Sequence, residues 1–353
     1  ELEDERPHIG YSKAGVTGYL LESPDGVLTK AVERSGTAIM SSDSDWRLEP
    51  CSTTSVDALR IFAGGPGHSE LVAAYRRAQG QPSRVLTGTG SNADGSAARG
   101  VRVHAMSGER YLGRAMSDDE GSFALVLPED VPVEVATWRR GDAITRATVE
   151  GDTDELMLTL APTGFLDIGA SEDGEAVPVR VQVWPVGETP TPEPRWGEVE
   201  LFRQRMHVVF PGNERALLRV PVGEHRVVVS RGPEYELGLS ETILVGEGET
   251  VRRDVEMQRV VETPGVMCAD FHIHTTRSMD SPDPAGYKLR AAAGDGLELP
   301  VRSDHDWIAE WESVIADEGL QDFVFGLTSI ELTTFSWGHF GVFPMELDPS
   351  RPN

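Results

Sequence analysis

A chain of 353 residues, 39% hydrophobic and 25% charged, is long enough for two or three globular domains. Acidic side chains outnumber basic ones 58 to 32, and the formal charge of −26 disfavours a nucleic-acid partner, whose phosphates it would repel. No run of roughly 18 apolar residues occurs, so no membrane span is expected. The first residue is Glu1 and no signal-peptide pattern follows it. Cys51 and Cys268 are the two cysteines, far apart in sequence and read as free thiols.

Residues 1–83 read as the tail of a β-rich N-terminal domain, with strands at Gly18-Tyr19-Leu20-Leu21 and Asp57 to Phe62. A short helix is predicted from Ser69 to Gln79. Ser69 caps it, Leu71, Val72 and Tyr75 form its apolar face, and Gly80 stops it.

Residues 84–160 carry short alternating strands separated by turns. Val101 and Val103 alternate with polar neighbours. Phe123 to Leu127 follows an Asp118-Asp119-Glu120-Gly121 turn, then come Val131, Val133 and Val135, and Leu156 to Leu160 closes the unit. The pattern predicts a β-sandwich. The Asp118 cluster lacks calcium-loop spacing and reads as a plain turn.

Residues 161–262 repeat that unit. Val177, Val179, Val181 and Val183 alternate, and Leu217 to Pro221 followed by Val227 to Gly232 parallels Leu125 to Pro128 followed by Val133 to Gly141. Pro185 to Pro194 reads as an exposed loop. The polar stretch Ser230 to Glu236 reads as a sandwich loop with an Arg231–Glu234 pair, or as the edge of an interface or site mouth. Both sandwiches resemble the carboxypeptidase-regulatory, transthyretin-like modules, on strand pattern and the Asp-Asp-Glu-Gly-Ser-Phe turn.

Residues 263–353 differ in character. Strands are predicted at Met267 to His274, Leu297 to Ser303 and Phe323 to Glu331, with helices at Asp283 to Gly294 and Trp307 to Asp317. This is a parallel α/β order, often that of a barrel. Side chains two apart on a strand share a face, so His272 and His274 can reach one ion. Asp280, His305, Glu331 and His339 follow in order, and in such folds functional groups gather at the carboxyl ends of strands. Imidazole with carboxylate suits zinc, manganese or iron rather than calcium. His8, His68, His104, His207 and His225 read as surface or packed residues. No serine-hydrolase elbow and no P-loop is present.

Asp270-Phe271-His272-Ile273-His274-Thr275, Ser303-Asp304-His305-Asp306, Gly326 to Glu331 and Trp337-Gly338-His339-Phe340 resemble the motifs of the PHP (polymerase and histidinol phosphatase) metallohydrolases. With the sandwiches ahead, the resemblance is to the carbaryl-hydrolase-like (CehA/McbA) branch. It implies tandem sandwiches followed by the first part of a PHP-type (β/α) barrel. It also implies two or three divalent ions and a metal-activated water acting on an ester, carbamate, amide or phosphoester.

Residue by residue, the resemblance gives one ion to His272, His274 and bridging Glu331, and a further ion to Asp280, His305 and His339. Asp270 and Asp304 become carboxylates behind the imidazoles, with Asp304 the group that moves a proton; Thr275 and Ser278 shape the loop. The later strands of such a barrel do not occur before Asn353, so the resemblance implies either that the chain is a fragment or that a C-terminal polypeptide completes the domain. The alternative function is a non-catalytic extracellular β-sandwich protein binding a glycan or protein ligand, with an incomplete metal site. The sandwiches place either version outside the cytoplasm.

Overall fold

The computed structural model describes residues 8–12, 18–22, 30–34, 37–41, 50–53, 55, 59–64, 68–129, 131–150, 153–187, 192–193, 196 and 205–346. They form two compact units. The first holds residues 1–32, 38–163 and 190–199, and the second residues 33–37, 164–189 and 200–353.

In the first unit β1 (His8–Ser12) and β5 (Arg60–Gly64) flank β2 (Gly18–Glu22) in an antiparallel sheet. β3 (Lys30–Arg34) pairs with β4 (Thr37–Ser41). The expected strand from Asp57 begins at Arg60, and residues 57–58 lie outside the described ones. Helix α1 (His68–Ala78) buries Leu71 and Tyr75 beside Phe62. Ser69 is not its cap: the helix starts one residue earlier, and the Ser69 hydroxyl accepts the Val126 backbone N–H at 2.7 Å.

The first sandwich uses β6 (Ser83–Ser91), β7 (Arg102–Ser107), β8 (Arg110–Met116), β9 (Ser122–Pro128), β10 (Val133–Trp138), β11 (Arg146–Val149) and β12 (Glu155–Thr159). One sheet has the order β11-β10-β7-β8 and the other β12-β6-β9. Alternation drives this: on β9, Phe123, Leu125 and Leu127 point inward against Val103, Val133 and Val135 of the facing sheet. The Asp118 turn is a turn: one carboxylate oxygen accepts the N–H groups of Glu120 and Ser122.

The second unit repeats the plan with β13 (Thr163–Glu172), β14 (Glu175–Ala176), β15 (Arg180–Pro185), β16 (His207–Val209), β17 (Ala216–Pro221), β18 (Gly223–Ser230), β19 (Leu239–Val245) and β20 (Thr250–Glu256). Its sheets run β16-β15-β18-β19 and β14-β13-β17, with β20 on the other edge of β13. In both sandwiches the first strand pairs in parallel with the last, β6 with β12 and β13 with β20. The internal repeat is therefore one of topology as well as of pattern. Half of the expected Pro185 to Pro194 loop lies outside the described residues, and Pro185 itself ends β15.

The last segment of this unit packs on its sandwich. β21 (Ala269–Ile273) and β22 (Leu299–Arg302) pair in parallel, joined by α2 (Ala285–Gly294). A Cβ on Gly294 would stand 2.8 Å from the Val179 carbonyl, so a glycine is what lets α2 lie this close. α3 (Glu312–Asp317) follows, then the antiparallel hairpin of β23 (Ile330–Thr334) and β24 (Gly338–Val342). Leu289, Ala293, Trp311, Ile315, Leu320 and Val324 form the local core.

The expected barrel is not found among the described residues. Phe323 to Glu331 is not a strand throughout: it touches its neighbours through single bridges, Val301 with Leu327 and His305 with Glu331, and regular pairing begins at Ile330. The second helix is shorter than the expected Trp307 to Asp317, because Trp311 is drawn into the core and the helix starts after it. The described residues are mostly β-sheet, 46% strand against 10% helix, and the three helices among them are too few to follow every strand. Among the described residues no helix is long and apolar enough to cross a membrane. Both cysteines are free.

Candidate metal centre

β21 runs outward to its end at Ile273, and a register shift against β22 between Asp270 and Ile273 turns the His272 and His274 rings toward each other. Their Nε2 atoms stand 2.9 Å apart, and Glu331 Oε2 lies 3.1 Å from the first and 2.7 Å from the second. Glu331 comes from the start of β23 and is 3% exposed. Its other oxygen, Oε1, accepts from His339 Nδ1 at 2.9 Å, across the hairpin. His274 Nδ1 lies 2.9 Å from Asp280 Oδ1, and His305 Nε2 lies 3.3 Å from Asp280 Oδ2. His305 Nδ1 is 3.4 Å from Glu331 Oε2 and 2.5 Å from Thr333 Oγ1.

All six sequence-predicted ligands therefore lie together, in three overlapping triads: His272, His274 and Glu331; His274, Asp280 and His305; and His305, Glu331 and His339. Within each triad the donor atoms are within 4.8 Å of one another. A tetrahedral shell with ligands at about 2.1 Å separates its donors by about 3.4 Å. Observed separations of 2.7 to 3.1 Å in the first triad fall a few tenths of an ångström inside that, a difference that side-chain rotation closes. The donor set is nitrogen and oxygen only, which fits zinc, manganese or iron. His339 groups with His305 and Glu331 rather than with Asp280, and this changes the expected allotment of ligands.

The electrostatics suit a cation. Burial works against ionisation of Glu331, but the His272 hydrogen bond and the charges of His305, His272 and His274 outweigh it and hold its carboxyl below the ordinary range. Asp280 behaves alike: desolvation raises its pKa, and the His274 hydrogen bond with the His274 and His305 charges lowers it further than burial lifts it.

Two expected site residues stand elsewhere. Asp304 is fully buried and does not face the cluster: one oxygen accepts the Thr275 backbone N–H at 2.6 Å and the other takes Arg302 Nε at 2.6 Å. Both oxygens are committed to holding the loop, so the proton-moving role is corrected to a structural one. Asp270 accepts the His272 backbone N–H at 2.9 Å; it fixes the strand end rather than an imidazole. Thr275 and Ser278 shape the loop, Ser278 through the His305 backbone N–H at 2.8 Å.

Two contributors were missed. Thr333 stands two residues beyond Glu331 on β23 and so shares its face, a signal that alternation carries. Arg302 ends β22 and donates its Nε to Asp304 Oδ2, two residues on and beyond the strand. Of the other histidines, His104, His207 and His225 are buried, and the side chains of His8 and His68 lie outside the described residues.

No family model matches the chain, and no curated protein matches it. Among solved structures it is similar to the Bacillus anthracis TIE protein, at 11% identity over 73% of this chain and 44% of that one, with a TM-score of 0.22. The minor pilin GBS52 of Streptococcus agalactiae matches at 12% identity over 52% of this chain and 98% of the pilin, with a TM-score of 0.29. The shaft pilin spaA of Lactobacillus rhamnosus GG, an E269A mutant, matches at 10% identity over 52% and 98%, with a TM-score of 0.28. The chain thus spans less than half of the first of these. Scores this low assign no role. The expected PHP membership and the metallohydrolase activity that came with it are corrected: the barrel they imply is not found among the described residues, and the structures named above include pilins and no PHP protein or hydrolase.

Proposed function

We propose that the chain is a non-catalytic β-sandwich binding protein that takes a glycan or protein ligand outside the cytoplasm and carries a divalent-cation site in its last segment. The observation that carries the cation site is the convergence of four imidazoles on the buried Glu331, with Asp280 between His274 and His305, from five stretches of chain. Imidazoles seldom crowd one buried carboxylate without a shared charge to hold. The binding role is supported by two sandwiches of identical strand order, which make up most of the described chain.

Elemental analysis of the full chain after exposure to zinc or manganese tests the cation site. At least one ion per chain is expected, with occupancy falling sharply in the His272→Ala/His274→Ala double variant. A wild-type chain that retains no metal, or a double variant that retains it all, overturns the site. Glycan-array binding that persists in the double variant supports the sandwiches as the surface that reads the ligand. Fractionation of the producing cell checks the location.

A further inference from the structure

The second unit also encloses a cavity of about 210 Å³, and none of the six metal-site residues lines it. Its walls are the β18–β19 connection, Arg259 beyond β20, and the α2–β22 connection. Arg231 is 8% exposed there and has no carboxylate within ion-pair distance among the described residues. Its Nη1 donates to the Pro178 carbonyl at 3.0 Å, and its Nε is buried without an acceptor. The Tyr235 and Phe323 rings each lie 5.1 Å from the guanidinium. Ring faces offset part of the desolvation but supply no counter-charge. A guanidinium stays charged and carries five donors, so a buried one without an anion is costly and unusual.

Of the four carboxylates that line the cavity, three have other partners and the fourth is Asp322. Glu234 holds Arg259 at 3.0 Å and Thr263 at 2.8 Å, Glu172 accepts from the Tyr235 hydroxyl at 2.9 Å, and Glu298 accepts from the Cys268 backbone N–H at 2.9 Å. With Glu234 and Arg259 neutralising each other, the cavity presents one unmatched cation and the acidic groups Glu172, Glu298 and Asp322. A simple anion would meet repulsion from those three; a simple cation would leave Arg231 unmatched. A molecule bearing both charges meets both needs. A space of about 210 Å³ lies below the usual range of pockets for drug-sized ligands and suits a molecule as small as a free amino acid.

We propose that this cavity binds a free α-amino acid, its carboxylate on Arg231 and its ammonium toward Glu172 and Glu298.

The test is calorimetric titration of the full chain with each standard L-amino acid, and with acetate and methylammonium as half-ligands. At least one amino acid is expected to bind once per chain, and either half-ligand at least about tenfold more weakly. Arg231→Gln and, separately, Glu298→Gln are each expected to weaken binding by about tenfold or more, with circular dichroism unchanged. Glu298→Gln keeps an acceptor for the Cys268 N–H, so it remains informative if Arg231→Gln fails to fold. Binding should survive in the His272→Ala/His274→Ala variant. The proposal is overturned by no binding of any amino acid up to about 10 mM, by acetate binding as well as the best amino acid, or by loss in the histidine variant, which would place the ligand at the metal centre.

Discussion

Asp304 ties three groups with one carboxylate: the Thr275 backbone N–H, the Thr275 hydroxyl and the Arg302 guanidinium, all buried. Removing one partner of such a pair leaves a charge stranded, which costs about 3–5 kcal/mol. Asp304→Ala is therefore expected to lower the stability of its unit by about that amount, read from the urea midpoint, with Asp304→Asn falling between it and wild type. His225 is a second buried group with a readable consequence. Burial pushes its pKa down, against the opposing hydrogen bond to the Pro221 carbonyl, and its Nδ1 has no partner on which to hold a second proton. The native state thus keeps the ring neutral while the unfolded chain protonates near pH 6.5. Stability is full above that value and declines as pH falls through it toward the folded value. A thermal-melt series from pH 7.5 to about 5 should show this decline, and His225→Gln should flatten it. Residue types in order were enough to name six side chains that come together. They were not enough to separate them from Asp304 and Asp270, because spacing gives the face of a strand and not the partner already waiting on it.

At the scale of elements, the sandwich strands were legible because each buries one face, so that alternation survives in sequence: Val177, Val179, Val181 and Val183 are all buried. Phe323 to Glu331 misled because its apolar residues fill a loop core instead of a ladder; Val324 packs against Leu320 and Trp311, and Phe325 is exposed. The β23–β24 hairpin was not expected, and its turn exposes two aromatic side chains, Phe335 and Trp337. Close packing between strands and their neighbours also has a measurable signature. A Cβ at Gly88 would stand 2.5 Å from the Leu156 carbonyl and 2.3 Å from the Phe123 ring. The parallel β6–β12 pair depends on that space, and Gly88→Ala is expected to cost about 1–3 kcal/mol by forcing strand and ring apart. Chemical denaturation of wild type and variant side by side checks it.

At the scale of the molecule, the chain divides into two compact units, and only the second holds the six convergent ligands. Differential scanning calorimetry should resolve two transitions. Saturating zinc, at about 100 times its dissociation constant, should raise only one of them, by about 2.7 kcal/mol in stability. A single transition, or equal shifts of both, would contradict this assignment. The donors of that site lie on stretches from His272 to His339, far apart along the backbone and brought to one point only by folding. An ion there would behave as a reversible clasp on that length of chain. Protease nicks in the linking loops, after Arg277 for example, would leave the cut ends held in place until a chelator releases them.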